Sequence, residues 1–392
     1  MSEPYKVDIY RLPEIASHYK TPKLSMLPLI EKQYFSINGH RDKATSRFLS
    51  NDTIYVPSGR VALYYALKHC GVDERSEVLL PSYHCGSMLE PVIHLSAKVQ
   101  FYNLDEHLNY SLEHIKQLIT VRTKAVIVPH FFGFSQDLVN LKAFLEEQNI
   151  KLIEDCAHAF YSSSNTGYIG DYAIASTVKF FPGTKGGALV ANSGNQLSLN
   201  FAPPGFINEL KALKNNIERT RHFKKESVLK SERVEAQIAS YSNVEKVTYN
   251  TNSLSLSHYL WFDPAEIGVK NKFSNRFFIK HSRHTEIIKA RKDNYNYYLR
   301  AISGIKGMRP LHSQLGDTVP YVFPLILDAA EEKFPSLKLR GVPIWRWEEL
   351  ALTDCNASNQ YRHTLLQLPC HQSISKSDID WIIEQFKAVL SA

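Results

Sequence analysis

One lysine in this sequence stands where its amine could act as a nucleophile. Lys179 follows an apolar run at 172–178 and precedes the Gly186-Gly187 doublet, which opens a second apolar run. Apolar neighbours at a strand end desolvate an ammonium group, which lowers its pKa and favours the neutral, nucleophilic amine. A lysine in an exposed turn between the two runs is the alternative interpretation of this pattern.

A carboxylate and an imidazole follow a buried strand upstream of this lysine. The residues Glu154-Asp155-Cys156-Ala157-His158 close the apolar run at 151–155. At a strand end, the carboxylate of Asp155 can pair with a protonated pyridine nitrogen and keep a cofactor ring electron-poor. His158 lies close enough in sequence to face the same ring. An Asp helix cap and a histidine packed in the core are the alternatives.

The sequence also offers groups for a phosphate and for ring stacking. Ser58-Gly59 ends a short β run and starts an amphipathic helix, whose free N–H groups attract phosphate. The hydroxyl of Ser176 could add a further contact. The rings of Tyr83 and His84 follow a strand and could stack on a flat cofactor. A plain capped helix and core packing are the alternatives here.

Together, these residue types match the parts of a pyridoxal phosphate site. A lysine forms an imine with the cofactor aldehyde, and a carboxylate pairs with the ring nitrogen. A flat side chain stacks on the ring, and a helix start with a serine binds the phosphate. The sequence predicts no metal site, because its five cysteines are scattered without the spacing of metal ligands.

Alternating short apolar runs and amphipathic segments must position these residues. The predicted strands are 78–80, 99–102, 125–128 and 151–155, and the predicted helices are 86–95, 111–119 and 138–148. This alternation predicts an α/β fold with a mainly parallel sheet and helices on both of its faces. In such sheets, ligands bind at the carboxyl ends of the strands.

The second half of the chain has a different pattern, which predicts a smaller α+β domain. A charged helical stretch runs from about 195 to 240, and a polar stretch follows at 241–257. Beyond it, the predicted elements are a helix at 281–301, a strand at 320–327, and helices at 329–340 and 378–390. We therefore expect an N-terminal arm at 1–50 with a helix near 25–33, a large domain at 51–240 and a small domain at 241–392.

Composition and charge narrow the class of protein. Of 392 residues, 44% are hydrophobic and 22% charged, which is typical of globular proteins. No apolar run approaches the roughly 20 residues that span a bilayer. The cysteines are odd in number and scattered along the chain, which indicates free thiols in a reducing cytoplasm. The net charge of +7 suits an anionic small substrate. We expect no nucleic-acid partner, because glutamates are interleaved with the basic residues at 211–233.

Several sequence blocks resemble those of one enzyme family. The blocks are Ser58-Gly-Arg-Val-Ala-Leu63, Val78-Leu-Leu-Pro-Ser-Tyr-His84, Thr123-Lys-Ala-Val-Ile-Val-Pro-His-Phe-Phe-Gly133, Ile153-Glu-Asp-Cys-Ala-His-Ala159, Gly170-Asp171, Lys179 with Gly186-Gly187, and Leu368-Pro-Cys-His-Gln372. They are similar to those of the DegT/StrS-type sugar aminotransferases, which are pyridoxal phosphate enzymes of fold type I. The resemblance covers residues from about 50 to 195 well and the rest thinly.

The resemblance implies a fold, an activity and a set of residue roles. The fold is a three-layer α/β/α arrangement with a smaller C-terminal domain, and the protein is a homodimer. The activity moves an amino group, which the family suggests comes from glutamate, to a keto sugar or a nucleotide-linked keto sugar in polysaccharide or amino-sugar biosynthesis. The implied roles are imine formation by Lys179, ring-nitrogen pairing by Asp155, contact with the ring hydroxyl by His158, phosphate binding by Ser58, Gly59, Arg60 and Ser176, and ring stacking by Tyr83 or His84. Arg346 is a further candidate for binding a substrate carboxylate or phosphate.

The sequence departs from the family pattern in ways that leave alternatives open. Lys179 lies at the usual distance from Gly186-Gly187 but two residues early when counted from Ser176, so Lys185 is the alternative imine lysine. Lys185 also replaces the usual acidic residue of the glycine-rich block. The motif by which a partner subunit reaches the phosphate is only roughly matched, by residues 268–272. Another pyridoxal phosphate reaction, amination of a keto acid sugar, and a catalytically inactive sugar-binding relative are the alternatives.

Overall fold

A computed structural model gives the fold of this chain. It describes residues 6–11, 22–36, 44–161, 165–192, 197, 199–226, 250–254 and 261–391. Its strands are β1 Val7–Arg11, β2 Ile54–Val56, β3 Glu77–Pro81, β4 Lys98–Tyr102, β5 Thr123–Pro129, β6 Lys151–Asp155, β7 Tyr172–Ser176, β8 Gly187–Ala191, β9 Asn250–Leu254, β10 Met308–Pro310, β11 Val322–Leu327 and β12 Leu365–Pro369.

The α-helices of the described residues lie between and after these strands. They are α1 Gly59–His69, α2 Gly86–His94, α3 Leu112–Leu118, α4 Val139–Glu147, α5 Phe206–Glu226, α6 Phe273–Lys280, α7 His284–Ala301, α8 Ala330–Leu339, α9 Asn356–Thr364 and α10 Lys376–Leu390. Among them, no helix is both long and apolar enough to cross a membrane.

A seven-stranded sheet forms the centre of the molecule. Its strand order is β2-β8-β7-β6-β5-β3-β4. The pairs from β4 through β7 are parallel, whereas β8 runs antiparallel to both β7 and β2. The mainly parallel sheet predicted from the sequence is therefore confirmed, with one reversed strand near its edge.

Both faces of this sheet are buried, which explains why its strands read as continuous apolar runs. In β5, Val126 and Val128 belong to one apolar cluster, while Ala125 and Ile127 belong to the cluster on the opposite face. Neighbouring side chains of a strand point to opposite faces of the sheet. A strand that is buried on both faces is therefore apolar at successive positions. The three-layer α/β/α arrangement follows from this double burial.

A second, antiparallel sheet lies in the C-terminal part of the chain. It consists of β10, β11 and β12 in that order. Its strands share one apolar cluster with α7, α8 and α10, including Phe323 and Ile382. This matches the predicted α+β character of the region. The predicted domain boundaries at 50 and 240 stay predictions.

Some element boundaries differ from the predictions. The helix predicted near 25–33 is wrong, because this stretch has bends and irregular backbone, and only Lys32–Tyr34 form a 3₁₀ turn. The helix predicted over 281–301 begins at His284, because Ser282 forms a β-bridge with Phe35. Of the charged stretch predicted over 195–240, α5 is described and 227–249 lie outside the described residues.

A fully buried glutamate holds together the loop that follows β6. The carboxylate of Glu154 accepts hydrogen bonds from the backbone N–H groups of Gly167 (2.7 Å), Ile169 (2.7 Å) and Gly170 (2.6 Å). The Nδ1 atom of His130 accepts from the backbone N–H of Gln136, so its Nε2–H donates to Glu154 at 2.9 Å.

This set of hydrogen bonds keeps Glu154 ionised. Burial alone would raise the pKa of Glu154, but the contacts with His130 and the backbone N–H groups hold that pKa below its ordinary value. Cys156 lies beside this pair at a spacing that a metal ion could bridge. The carboxylate and the imidazole already have hydrogen-bond partners within the protein. We therefore interpret the group as one that stabilises the loop after β6.

We expect Glu154→Ala to lower the free energy of unfolding by about 3 kcal/mol or more, because buried donors lose their common acceptor. Urea denaturation would measure the loss. The matched control is Glu74→Ala, at an exposed turn, with an expected effect within about 0.5 kcal/mol. Because the pKa of Glu154 is lowered, its stabilisation is present above pH 4.5 and declines as the pH falls below it. Equal effects of the two variants at neutral pH would contradict this role.

Candidate active site

A cavity of about 540 Å³ opens at the carboxyl ends of β5, β6 and β7. The strand ends contribute Pro129, Asp155 and Ser176 to its lining. Of the sequence-predicted site residues, the cavity brings together Ser58, Gly59, Arg60, Asp155, His158, Ser176 and Lys179, and it also includes Lys185. Tyr83 and His84 are not among the lining residues.

Lys179 reaches this cavity from a tight turn directly after β7. The residues Thr177–Lys179 form a 3₁₀ turn, and the N–H of Thr177 donates to the carbonyl of Gly186 at 3.1 Å. The Nζ atom of Lys179 lies 5.1 Å from the ring centre of Tyr321. Burial lowers the pKa of Lys179, and the nearby charge of Arg60 lowers it further, while Cys85 and Asp155 oppose the shift. The turn thus presents an amine that loses its proton more readily than an ordinary lysine.

Asp155 lies at the end of β6, on the strand next to the one that leads to Lys179. Its Oδ1 atom accepts a hydrogen bond from the backbone N–H of Ala157 at 2.8 Å. Burial raises the pKa of Asp155, and the Ala157 N–H and the charges of Lys179 and His130 partly offset that rise. Within the described part of the chain, no carboxylate oxygen lies within 4.0 Å of the Lys179 amine. The two groups therefore interact without forming an ion pair.

His158 presents a neutral imidazole between two aromatic rings. Its ring stacks on Phe132 and Tyr321 at centroid distances of 5.6 and 4.5 Å. Its Nδ1 atom accepts from the backbone N–H of Phe132 at 3.1 Å, so the ring proton is on Nε2. Burial and the charge of Lys179 lower the pKa of His158. The ring is therefore a hydrogen-bond donor at neutral pH.

The register of the sheet places a helix start beside Ser176. Gly187 of β8 pairs with Val56 of β2 on one side and with Ser176 on the other, so all three lie at the same edge. Ser58 then caps α1, accepting from the N–H of Val61. A Cβ atom at Gly187 would lie 2.3 Å from the Ser58 carbonyl group, so only glycine permits this crossing. The free N–H groups of α1 and the Ser176 hydroxyl thereby line the same end of the cavity.

A carboxylate from another segment bonds to two residues that line this end of the cavity. The Oε1 atom of Glu266 is 2.5 Å from the ammonium of Lys185, and its Oε2 atom accepts from the Ser58 hydroxyl at 3.3 Å. Glu266 comes from the 3₁₀ turn Pro264–Glu266, close to residues 268–272, which roughly match the partner-subunit motif. The ammonium and hydroxyl thus bind an anionic oxygen group, which is the chemistry that a phosphate would offer.

Tyr83 and His84 do not line the cavity, which corrects their expected placement beside a cofactor ring. His84 is fully buried, stacks on Phe101 at 5.2 Å and accepts from the N–H of Ala351 at 3.1 Å. Tyr83 packs against Trp347 at 5.0 Å. The chain turns after β3 and directs both rings into core contacts, so core packing is the interpretation that the geometry supports.

The C-terminal part of the chain contributes lining residues that sequence reasoning missed. They are Tyr321, Trp345, Trp347 and Gln367, together with Trp261 from the segment before α6.

Arg346, a sequence candidate for substrate binding, also lines the cavity. Its guanidinium pairs with Glu348, donates to the carbonyl of His363 at 2.9 Å and lies 4.0 Å from the ring centre of Phe334. Most of its bonding capacity is therefore used within the protein.

Arg291 of α7 is the most consequential residue that the sequence did not indicate. It is fully buried, and its guanidinium donates to the carbonyls of Lys179 (2.8 Å), Pro320 (3.0 Å) and Tyr321 (3.2 Å). Burial lowers its pKa to about 10. Arg291 thus fixes the lysine turn against the segment that carries the Tyr321 ring. Its Nε–H also donates to the side-chain oxygen of Gln372 at 3.2 Å. No motif marks Arg291, because its partners come from three segments that are distant in sequence.

Several polar atoms at the cavity have no partner within the described residues. They are the Tyr321 hydroxyl, Gln367 Nε2, Thr184 Oγ1 and Arg60 Nε. Buried polar groups in folded proteins are nearly always hydrogen-bonded. The unpartnered atoms, together with the amine, the carboxylate and the anion-binding end, indicate that the cavity is built to receive a polar ligand.

Comparison with known proteins confirms the family resemblance for part of the chain. Residues 43–199 match the model of the DegT/DnrJ/EryC1/StrS aminotransferase family. This range contains the turn before α1, Asp155, His158 and Lys179. The resemblance that the sequence motifs indicate is therefore confirmed over these residues.

Two curated relatives show the extent of the similarity. The chain is 32% identical over 145 residues to the GDP-perosamine synthase of Vibrio cholerae, a match that covers 35% of this chain and 39% of the relative. It is 30% identical over 132 residues to the UDP-N-acetyl-3-dehydro-alpha-D-glucosamine 3-aminotransferase of Acidithiobacillus ferrooxidans, covering 33% and 36%. The matches thus span less than two fifths of the length of these relatives.

Solved structures extend the likeness of fold to most of the chain. The aminotransferase TlmJ from Streptoalloteichus hindustanus superposes with a TM-score of 0.61 at 19% identity, covering 87% of this chain and 86% of TlmJ. NtdA from Bacillus subtilis, solved with bound PMP, superposes with a TM-score of 0.61 at 14% identity, covering 87% and 73%. The predicted α/β fold of pyridoxal phosphate aminotransferases is confirmed.

We expect Glu266→Gln to tighten the binding of inorganic phosphate by about twofold to fivefold, the equivalent of an exposed ion pair. The variant removes the carboxylate that neutralises Lys185. It leaves in place Ser58, Ser176 and the free N–H groups of α1. Isothermal titration calorimetry with phosphate measures the change. Glu218→Gln is the matched control, because Glu218 also pairs with a lysine, on the exposed surface of α5. Equal affinities of wild type and Glu266→Gln would contradict an anion site at Lys185.

Proposed function

We propose that this protein is a pyridoxal phosphate-dependent aminotransferase that transfers an amino group from an amino acid to a keto sugar. The observation that carries the proposal is the convergence of Lys179 and Asp155, from neighbouring strand ends, on one cavity. The family match over 43–199 and the fold of solved aminotransferases support it. NtdA, with its bound PMP, supports the choice of cofactor.

The residues of the cavity fit this cofactor. Lys179 would hold it covalently, Asp155 would pair with the ring nitrogen, and the Nε2–H of His158 would face the ring hydroxyl. Its phosphate would bind at Ser58, Gly59, Arg60 and Ser176. When bound, pyridoxal phosphate supplies an electron sink that stabilises a carbanion at the carbon losing its proton.

The chemistry of this chain's own residues then concerns protons and charge. Lys179, with its lowered pKa, can take a proton from a donor α-carbon and return it as general base and acid. A negatively charged Asp155 favours a protonated partner beside it. His158, held neutral between two rings, donates a hydrogen bond without adding charge. Tyr321, which lines the cavity and stacks on His158, replaces Tyr83 and His84 as the candidate for stacking on the cofactor ring.

The substrate and the donor are the finer parts of the proposal. Relatives named as GDP-perosamine synthase and as a UDP-linked dehydroglucosamine aminotransferase favour a nucleotide-linked keto sugar, and a cell-surface polysaccharide or amino sugar as the end product. The family resemblance favours glutamate as the amino donor. A catalytically inactive sugar-binding relative is the second candidate, because Glu266 already bonds to Ser58 and Lys185 where the phosphate would bind.

The assembly and location are also proposals. Exposed apolar side chains cluster on α5 and α6, which contact each other, and they support a homodimer. They are Phe206, Ile207, Leu210, Phe273 and Phe277. All five cysteines are free, in accord with the cytoplasmic location expected from the sequence.

We expect pyridoxal phosphate to give a visible absorbance band with the wild-type chain and to become fixed to Lys179 on borohydride reduction. Peptide mapping by mass spectrometry identifies the modified lysine. Lys179→Ala should lose the band and lower the transamination rate by at least about 10²-fold, since it removes the proton-transfer group. Lys185→Ala is the matched control and should keep the band, because the Lys185 amine pairs with Glu266 and is not the proposed imine-forming group.

Two results would contradict this assignment. If Lys185→Ala loses the band and Lys179→Ala keeps it, then Lys185 is the lysine that holds the cofactor. If the wild-type chain binds the cofactor but no amino donor changes the band, then the inactive sugar-binding relative is the better account.

A further inference from the structure

Three of the four tryptophans of this chain line the cavity. They are Trp261, Trp345 and Trp347, whereas Trp381 lies on α10 under the ammonium of Lys23. Trp261 and Trp345 are 39% and 38% exposed, which is unusual for the largest apolar side chain. Exposed aromatic rings concentrated at a cavity indicate a surface that a ligand covers.

The backbone around these rings is held in place by the protein itself. Trp345 and Gln367 form a β-bridge, with N–H to carbonyl distances of 3.1 and 2.7 Å in the two directions. The backbone N–H groups of Trp261 and Phe262 both donate to the buried carboxylate of Glu90. The Trp261 ring lies directly on Gly86, where a Cβ atom would be 2.3 Å from its Cζ3 atom. The tryptophans are therefore presented on fixed segments.

Gln367 supplies a buried hydrogen-bond donor beside the same rings. It is 1% exposed and lines the cavity, and its Nε2 atom has no partner among the described residues. The Tyr321 hydroxyl, on a residue 2% exposed, is in the same situation. A buried donor without a partner is unfavourable in the free protein, so these groups favour a ligand that brings acceptor oxygens.

We propose that Trp345, Trp347, Trp261 and Gln367 form a subsite for the sugar ring of the substrate. Aromatic rings offer apolar faces to the C–H groups of a pyranose, and Gln367 donates to one of its hydroxyl or ether oxygens. This inference rests on the proposed function, since it assigns the sugar half of the substrate to these residues. Gln367 is a specificity-determining residue here, and it takes no part in proton transfer.

The test uses the full chain loaded with pyridoxal phosphate. UDP-N-acetylglucosamine, which lacks a keto group, serves as the sugar probe, and UDP alone serves as the probe without a sugar. Isothermal titration calorimetry gives both affinities, and intrinsic tryptophan fluorescence reports on the rings. The variants are Gln367→Leu and Trp345→Leu. The matched controls are Gln117→Leu, at an exposed position of α3, and Trp381→Phe.

We expect Gln367→Leu and Trp345→Leu each to weaken binding of UDP-N-acetylglucosamine about tenfold, while UDP binding changes little. The fluorescence change on titration should persist in Trp381→Phe and shrink in Trp345→Leu. Gln367→Leu should not lower the melting temperature, because its Nε2 has no partner in the free protein. This separates ligand binding from a structural role.

The proposal is overturned if neither variant changes the affinity for the sugar probe while the cofactor absorbance band is intact. It is also overturned if UDP alone binds as tightly as the sugar probe and responds equally to the variants, because the rings would then bind the nucleobase. A wild-type chain without the cofactor band would instead contradict the proposed function. The same titrations on the unloaded chain would then still test the sugar subsite.

Discussion

An amine and a carboxylate, largely buried at one sheet edge and not joined in an ion pair, are the constraint on which this site depends. Lys179 and Asp155 each lose hydration, and burial shifts both pKa values toward the neutral forms. A close ion pair would remove this penalty but would also occupy both groups. By keeping them apart, the fold leaves an amine ready to react and a carboxylate ready to receive a cationic partner.

The rest of the structure can be understood as the means of holding that arrangement. The parallel pairing of β6 and β7 fixes the two strand ends side by side, and the reversed strand β8 brings the start of α1 to the same edge. Arg291 ties the carbonyl of Lys179 to those of Pro320 and Tyr321, and thereby joins the C-terminal region to the lysine turn. Trp345 and Gln367, which line the cavity, belong to that C-terminal region. The proposed cofactor site and the proposed sugar subsite thus depend on one set of contacts.

Much of the fold and half of the site follow from local sequence patterns. The apolar runs of β5 and β6 and the polar residues after them predicted where Asp155 and His158 would lie, because strand ends in parallel sheets meet at one edge. The positions of Tyr83 and His84 could not be predicted, since a turn after β3 decides where their rings point. Gln367, Trp345 and Glu266 were out of reach for another reason. They are distant in sequence, and only tertiary packing brings them to the cavity.

The ionisation of Lys179 in the cofactor-free chain tests this account most directly. Competitive acetylation at a series of pH values, followed by peptide mass spectrometry, measures the pKa of Lys179 against an exposed lysine such as Lys211 on α5. The account predicts that Lys179 gains reactivity at lower pH than Lys211, with a pKa below the ordinary value of 10.5. Reactivity that rises only at or above that value would show a well-hydrated ammonium and would contradict the account.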